Sequence, residues 1–523
     1  MAVSVRLTDG RVMLIDDEPV GTGAEKRVFL SRDRQYAVGF YYGSLTDRRE
    51  RVDRLTRILT NYNPTLATNG AYWLPMFCWP VGMVDGEGAA PLEFARRQGL
   101  VWPPLAVVTP TYRSNFYFTD RYGGRQEKEV RWFTGGKASQ FVPQAEKGSL
   151  LTRLQIGVRL ARAVRRLHMA GLAHADLSNK NVLVDPKGGD ACIIDIDSLV
   201  VPGVAPPSVL GTPGYIAPEV LANKAQPSIA TDKHALAVLL YELLLQRHPL
   251  QGRRVNSARS AEDDETLSMG GRALFVEHPT DRSNPPVKPI TVPYTRLGPY
   301  LARCFTRTFV DGLHAPVRRA DAAEWEHALY RTMQLLHPLP SGAWTIMAPG
   351  LPLSSLSGDE RTSGALVARN LRDTGDSMVD EGDMLVLWHH LTLHDWHLQL
   401  ATLPDERANR TPRGYVAQHG GKWWMVNTSD TSWQVSHAQD SARASRSPAA
   451  VGNASVPASH GATATAENGI DVEVHRDAHA QRGAEQRVAR LVGRNESVEL
   501  VPGLLIRVGD AVPARVLRVE TLG

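Results

Sequence analysis

An α+β unit of two lobes, followed by a linker and a smaller all-β, sandwich-like domain, is the fold class the sequence predicts. Three observations predict it. Short apolar runs alternating around turns fill residues 11–42, helix-period runs dominate from 149 to 336, and beyond a Pro, Gly and Ser-rich stretch at 338–364 the pattern returns to short strands. Strands first and helices after is the layout of an α+β domain. At 523 residues the chain is too long for one ordinary core and has room for both parts.

The small lobe covers about residues 1–110. VMLID, VGTGAEKRVFLS and QYAVGFYY read as strands, with a glycine-rich turn between the first two. Residues 47–59 place Val52, Leu55, Ile58 and Leu59 at helical spacing beside a dense charged face. Residues 73–83 and 105–109 read as further strands. The large lobe, about 111–337, opens on a glycine-rich, aromatic and basic loop at 111–147. Ser149 then reads as the N-cap of a long helix. Leu151, Leu154, Val158, Ala161, Val164 and Leu167 stripe one face of it, and Arg153, Arg159, Arg162, Arg165 and Arg166 cover the other. Residues 230–246 are apolar nearly all round, which predicts a buried helix, and 321–336 predict one more amphipathic helix.

Residues 338–364 read as a linker. In 365–523 the runs MLVLWHH, HLQLATL, GYVAQHGGKWWMVN, SVELVPGLLIRVGD and ARVLRVE read as strands. The stretch 436–490 is rich in Ala, Ser, His and Gly and too poor in large apolar residues to offset its ordering entropy, so it is expected to be disordered.

The net charge of +4 is small for this length and predicts no strong attraction to nucleic acid or anionic membrane. The first 17 residues carry acids where a signal peptide needs an apolar core, and no run approaches the 18 or so apolar residues of a membrane span. Cys78, Cys192 and Cys304 stand far apart, without CxxC, as suits a reducing compartment. A cytoplasmic protein is expected.

The strongest chemical signal is HADLSNKNVLV. Phosphoryl transfer needs a carboxylate to orient and deprotonate the attacking hydroxyl, and oxygen ligands for Mg²⁺. Asp176 and Asn181 stand five residues apart on one loop before a short strand, an HxDxxxxN arrangement. Fourteen residues beyond Asn181, the apolar run CII delivers Asp195, a second candidate metal ligand. Asp197 follows as either another ligand or a turn cap. A third signal is GTPGYIAPE at 211–219, with Asp232 at the start of the buried helix.

In this order, over some 320 residues, these motifs resemble those of the eukaryotic-like protein kinases. The resemblance implies a bilobal protein kinase fold over 1–337, with ATP and Mg²⁺ as cofactors and a protein substrate or signalling partner. It also implies pairing of Glu219 with a late arginine, Arg319, and bracing of the catalytic loop backbone by Asp232. RHPL, LFVEHPTDRSNPP and LARCFTRTFVDGLHAPVRRADAAEW are similar to bacterial Ser/Thr kinases encoded beside von Willebrand A-type proteins and metal-dependent phosphatases in tellurite-resistance-type clusters. GGKWWMVNTSDTSWQV and VELVPGLLIRVGD faintly resemble forkhead-associated strands, without that family's phosphothreonine-reading set. A β-sandwich for partner docking is the expectation there, and Trp423 and Trp424 are either exposed or core.

The small lobe departs from the kinase pattern. Gly21, Thr22, Gly23, Ala24, Lys26 and Val28 resemble the glycine-rich loop that covers the phosphates, with Lys26 at the third glycine. Tyr36-Ala37-Val38-Gly39 resembles Val-Ala-Ile-Lys with Gly39 at the lysine, and no lysine lies between 27 and 127. That lysine holds the α and β phosphates and pairs with an acid of the next helix, for which Glu50 comes first and Asp53 second. Lys26 either supplies the missing ammonium or faces solvent. Ala175 replaces the arginine that gathers a phosphorylated activation segment, so phosphorylation of Ser208 or Thr212 is expected not to order the segment through that contact. Ser178 replaces a common lysine, and Lys180 is the candidate to reach the γ phosphate. An active Ser/Thr kinase is the first expectation and a nucleotide-binding pseudokinase the second. A small-molecule phosphotransferase of the aminoglycoside kind leaves GTPGYIAPE and Asp232 unexplained.

Overall fold

The computed structural model describes residues 2–207, 211–255, 260–356, 358, 360–362, 364–437 and 490–522. Two compact units divide the chain, Met1–Gly364 and Ala365–Thr521. The expected disordered stretch lies, from 438 to 489, outside the described residues, as does Ser208.

The first unit begins with a hairpin of β1 (Ala2–Arg6) and β2 (Val12–Asp16). An antiparallel five-stranded sheet follows, built from β3 (Gly21–Thr22), β4 (Lys26–Leu30), β5 (Tyr36–Tyr41), β6 (Gly82–Asp85) and β7 (Leu105–Pro110) in the order β3-β4-β5-β7-β6. Because strand side chains alternate, the register assigns the two faces. Lys26 opposes Tyr41, Val28 opposes Gly39 and Leu30 opposes Ala37, so these share one face, together with Val107 opposite Gly39. The other face carries Phe29, Val38, Phe40, Ala106 and Val108 into a core with Phe94.

Helix α1 (Arg48–Thr60) buries Arg51, Arg54, Leu55 and Ile58, an i, i+3, i+4, i+7 stripe that turns Val52 only partly inward. Residues 73–83, expected as a strand, are instead helical at α2 (Gly70–Trp73) and in a 3-10 turn over Leu74–Met76, with a regular strand only from Gly82 onward. The approach is close: a Cβ at Gly70 would stand 2.0 Å from the Thr65 carbonyl oxygen. Helix α3 (Leu92–Arg97) leads into β7.

The 111–147 loop contains one hairpin, β8 (Tyr117–Thr119) with β9 (Arg125–Glu127). Helix α4 (Leu150–Met169) starts at a capping box formed by Ser149 and Thr152. Its arginine face is not uniformly solvated. Arg162 is buried because α4 packs on α9 (Ala322–Met333), where Glu326 accepts from Arg162 Nε at 2.7 Å. Between them come β10 (Val182–Asp185), β11 (Asp190–Ile193), α5 (Pro218–Leu221), the buried α6 (Ile229–Leu245), α7 (Ala261–Ser268) and α8 (Gly298–Thr306). The expected linker is partly core. β12 (Leu336–Pro338) pairs with β13 (Trp344–Ile346), and Thr345, Ile346, Met347 and Ala348 are buried, since this turn-rich stretch carries its own apolar run.

Among its described residues the second unit is all-β apart from α10 (Asp395–Leu398). Its strands are β14 (Ala365–Asp373), β15 (Met378–Val386), β16 (Thr392–Leu393), β17 (Gly414–His419), β18 (Lys422–Asn427), β19 (Trp433–His437), β20 (Arg490–Val492), β21 (Ser497–Glu499), β22 (Leu504–Val508) and β23 (Ala514–Leu522). A six-stranded sheet β15-β14-β23-β22-β19-β20 and a four-stranded sheet β16-β17-β18-β21 share one core, with Leu385, Trp433, Ile506 and Val519 from the first and Leu393, Val416, Met425 and Val498 from the second. HLQLATL is not a strand; His397 and Leu398 belong to α10. Gly414 is required here, since a Cβ would come within 2.6 Å of the Trp433 ring. Trp423 and Trp424 are half-buried, and Trp423 packs against the core.

Candidate active site

Asp176 sits on the loop between α4 and β10, and its surroundings are built by hydrogen bonds to the backbone. Asp232, at the start of α6, accepts from the N–H of His174 at 2.6 Å and of Ala175 at 3.2 Å. These bonds hold Ala175 at φ 67°, a left-handed conformation that costs an alanine about 1 kcal/mol. The ring Nε2 of His174 bonds the carbonyl of Ile194 at 2.9 Å, tying the loop to the residue before Asp195.

Asn181 and Asp176 are in direct contact. The Asn181 amide donates to the Asp176 carboxylate at 2.9 Å and to its carbonyl at 2.8 Å, while the Asn181 carbonyl accepts from Ile194 N–H at 3.0 Å. Asp195 then turns through φ 60°, ψ 45°, a left-handed step that a short acidic residue tolerates. The three residues expected to serve one phosphate and metal centre thus lie on adjoining backbone segments. An amide oxygen and a carboxylate are hard donors that fit a hard divalent cation.

Above them stands the inner face of the five-stranded sheet. The β3–β4 turn is closed by Gly23 N–H to Lys26 O at 2.8 Å, and Gly21, Thr22, Gly23 and Ala24 are exposed along it. Lys26 reaches inward from this turn. Its Nζ lies 2.8 Å from Asp195 Oδ1 and 2.7 and 2.8 Å from the two oxygens of Asp197. Its stem crosses the place that a residue-39 side chain would fill: a Cβ built on Gly39 meets Lys26 Cδ at 3.4 Å and Val107 Cγ1 at 3.5 Å. Val28 and Ala37 lie on the same face, farther along the sheet.

The electrostatics are those of a partly enclosed ion cluster, with Asp197 buried and Lys26 half-buried. Burial pulls the Lys26 ammonium down, but the two facing aspartates overcome it and hold the lysine well above its usual range. Burial pushes the Asp197 carboxyl up, and the Lys26 charge outweighs it, holding that carboxyl at about 2. Lys26 and Asp197 are therefore both charged at neutral pH. Tyr41, opposite Lys26 across the strands, donates its hydroxyl to Asp197.

Three residues expected at the site lie elsewhere. Glu50 is exposed on α1 and makes no ion pair among the described residues, because the buried stripe of that helix runs through Arg51, Arg54 and Leu55. Asp53 pairs with Arg57 at 3.0 Å. Lys180 is exposed, and no described hydrogen bond carries it to Asp176 or to the Lys26 cluster; its charge acts on Glu129. Three contributors escaped the sequence reading. Tyr41 is two residues beyond Gly39 on the same face, a period-2 signal. Arg51 packs its guanidinium 4.7 Å from the centre of the Tyr41 ring. Thr212 donates to Asp176 from both N–H and hydroxyl. Farther out, Arg319 makes a bidentate pair with Glu219 at 2.7 Å from each nitrogen.

None of the described helices is long and apolar enough to cross a membrane. Residues 145–293 match the protein kinase domain family. Similar curated proteins include the dual serine/threonine and tyrosine protein kinases of Xenopus tropicalis (38% identical over 93 residues) and of Homo sapiens (37% over 93 residues). Each match covers 18% of this chain and 10% of the relative, so the chain spans about a tenth of the length of the curated relatives it matches. A protein kinase domain implies the use of ATP and a divalent metal ion. The matched span contains Asp176, Asn181, Asp195 and the 211–219 segment, so the residues of this site lie within the stretch of the chain that is similar to the protein kinase domain family.

Proposed function

We propose that the chain is an ATP- and Mg²⁺-dependent protein serine/threonine kinase in which Lys26 takes the place of the lysine missing at Gly39. The observation that carries this reading is the position of Lys26, whose stem covers Gly39 and whose ammonium meets Asp195 and Asp197. A side chain in solvent would not be seated between two aspartates.

In this reading Asp176 orients the acceptor hydroxyl and takes its proton as the hydroxyl oxygen bonds the γ phosphorus and the bond to the β-phosphate oxygen breaks, releasing ADP. Asn181 and Asp195 hold Mg²⁺, which supplies charge neutralisation to the β and γ phosphates when bound. Lys26 contacts the α and β phosphates. The β3–β4 turn, Gly21 to Ala24, covers them, and Val28 and Ala37 line the roof above the base. The bilobal division near residue 110 follows from this reading. So does a cytoplasmic location.

A second reading, a pseudokinase that binds nucleotide and transfers little, is favoured by one feature. Lys26 already neutralises both carboxylates nearest the metal position. Phosphorylation assays with radiolabelled ATP separate the two. Under the first reading Asp176→Asn and Lys26→Met each abolish labelling that the parent chain shows; if parent and variants label alike, transfer is not the function.

The bacterial stress-cluster assignment, with a von Willebrand A-type protein and a metal-dependent phosphatase as partners, rests on the sequence resemblance alone. The two-sheet core of the second unit is compatible with the faint forkhead-associated resemblance, and we assign that unit to partner docking without phosphopeptide reading.

A further inference from the structure

A lysine that must lie along a pair of phosphates needs a fixed counter-charge, or its four-carbon stem samples many rotamers. Helix α1 does not provide one, since Glu50 is exposed and Asp53 is taken by Arg57. The carboxylates at hand are Asp195 and Asp197, and they differ. The Asp195 side chain is 39% exposed and gives Lys26 one oxygen, whereas that of Asp197 is 5% exposed and gives it both.

We propose that Asp197 is the positioning carboxylate of Lys26, replacing an acid on α1 and leaving Asp195 to the divalent cation. The inference rests on the kinase reading above. Its support is geometric. Tyr41 stands directly across the strands from Lys26 and fixes Asp197 from the other side with its hydroxyl. Arg51 lies over the Tyr41 ring and is itself held by Glu25 at 2.9 Å and Asp47 at 3.1 Å. Helix α1 therefore communicates with Lys26 through Arg51, Tyr41 and Asp197 in series, with a cation–π contact where an ion pair was expected. The competing role for Asp197, a second metal ligand, fits poorly. A small dication keeps several waters and asks for an accessible oxygen, and both oxygens of Asp197 are enclosed and bonded.

The test is a double-mutant cycle on the full chain, read as binding of a fluorescent ATP analogue and as its dependence on Mg²⁺ concentration. Asp197→Asn is expected to weaken analogue binding about tenfold, to leave the half-saturating Mg²⁺ where it is in the parent, and to cost nothing further in a Lys26→Met background. Asp195→Asn is expected to move the Mg²⁺ dependence instead. Tyr41→Phe, which spares the carboxylate, is expected to weaken binding about threefold and to lose that effect beside Lys26→Met, so the proposal stays testable should Asp197→Asn fail to fold. Full additivity of Asp197→Asn with Lys26→Met, or a Mg²⁺ shift like that of Asp195→Asn, overturns the assignment. Radiolabel transfer by the parent is scored separately: coupling without transfer removes the kinase reading and keeps the anchor, transfer without coupling does the reverse, and a chain that binds no analogue removes both.

Discussion

Thr212 donates its backbone N–H at 2.6 Å and its hydroxyl at 2.7 Å to one oxygen of Asp176, while Asn181 holds the other oxygen. The segment at Thr212 and the proposed base are thereby one hydrogen-bonded unit, extended by Ser178, whose hydroxyl lies 3.2 Å from that of Thr212. Two donors on a single carboxylate oxygen fix where its lone pairs point, and so where an incoming hydroxyl can bind.

Thr212 should accordingly tolerate only a hydroxyl. Thr212→Ser is expected to keep transfer within about threefold, and Thr212→Ala to lose about tenfold, the worth of one hydrogen bond to a charged group. Thr212→Glu sets a carboxylate against Asp176 and is expected to lose on the order of a hundredfold or more. Steady-state kinetics with radiolabelled ATP measures all three. A Thr212→Glu variant more active than the parent would sink both this account and the expectation that phosphorylation here does not order the segment through the position of Ala175.

Arg319 is fully enclosed and gives its guanidinium to Glu219, to the carbonyls of Gly312 and Leu313, and to that of Ala230. Lysine cannot reproduce that fork. Arg319→Lys and Arg319→Met are each expected to lower unfolding stability by about 3–5 kcal/mol, because Glu219 is left without its partner. The measurement is urea unfolding of each variant. A loss below about 1 kcal/mol would show that the pair contributes little to the unit.

How much of this was legible in the sequence divides by range. Asp176, Asn181 and Asp195 lie close enough along the chain for motif spacing to read them, and Ser149 announced α4 through a purely local cap. The partners of Lys26 lie 169 and 171 residues away, so strand register and the turn at Asp195 decide them. Helix α1 shows a different limit. Its run DRRERVDRLTRIL carries a dense set of acids and arginines, and the kinase resemblance, which asks for an acid on this helix, put Glu50 inward. The structure buries Arg51 and Arg54 instead, because a tyrosine ring and the Ala205 carbonyl receive their guanidinium groups. Composition misled at 338–364 for a similar reason: the short apolar run Ile346-Met347-Ala348 in a turn-rich stretch was enough to bury residues 345–348.

Glu242 on α6 gives a pH signature. It accepts from the Tyr215 hydroxyl, and burial raises its carboxyl from 4.5 to about 7, the tyrosine only partly offsetting this. The folded chain therefore binds a proton more tightly than the unfolded chain, so the contribution of this group to stability is full below pH 4.5 and falls as pH rises toward 7. The loss is on the order of 3 kcal/mol at most. Glu242→Gln should remove that part of the slope between those limits. Chemical unfolding of parent and variant across the interval checks it, and parallel curves would contradict the assignment.

The crowding of Gly39 by Lys26 leads to a reciprocal prediction. A lysine at residue 39 would start its side chain 3.4 Å from the Lys26 stem and bring a second ammonium to the same two aspartates. Gly39→Lys alone is therefore expected to reduce transfer and stability, since two like charges compete for one site. Lys26→Met alone is expected to lose about a hundredfold or more, the usual cost of removing a charged contact to the transition state. Combined, the methionine withdraws one ammonium while residue 39 supplies another from the neighbouring strand. The double variant should thus recover a substantial share of the activity that each single change destroys. Kinetic comparison of the four chains, each checked for folding by its melting temperature, decides the matter. If the double variant is as inactive as Lys26→Met while both remain folded, residue 39 and Lys26 do not serve one position, and the substitution on which the kinase reading depends is wrong.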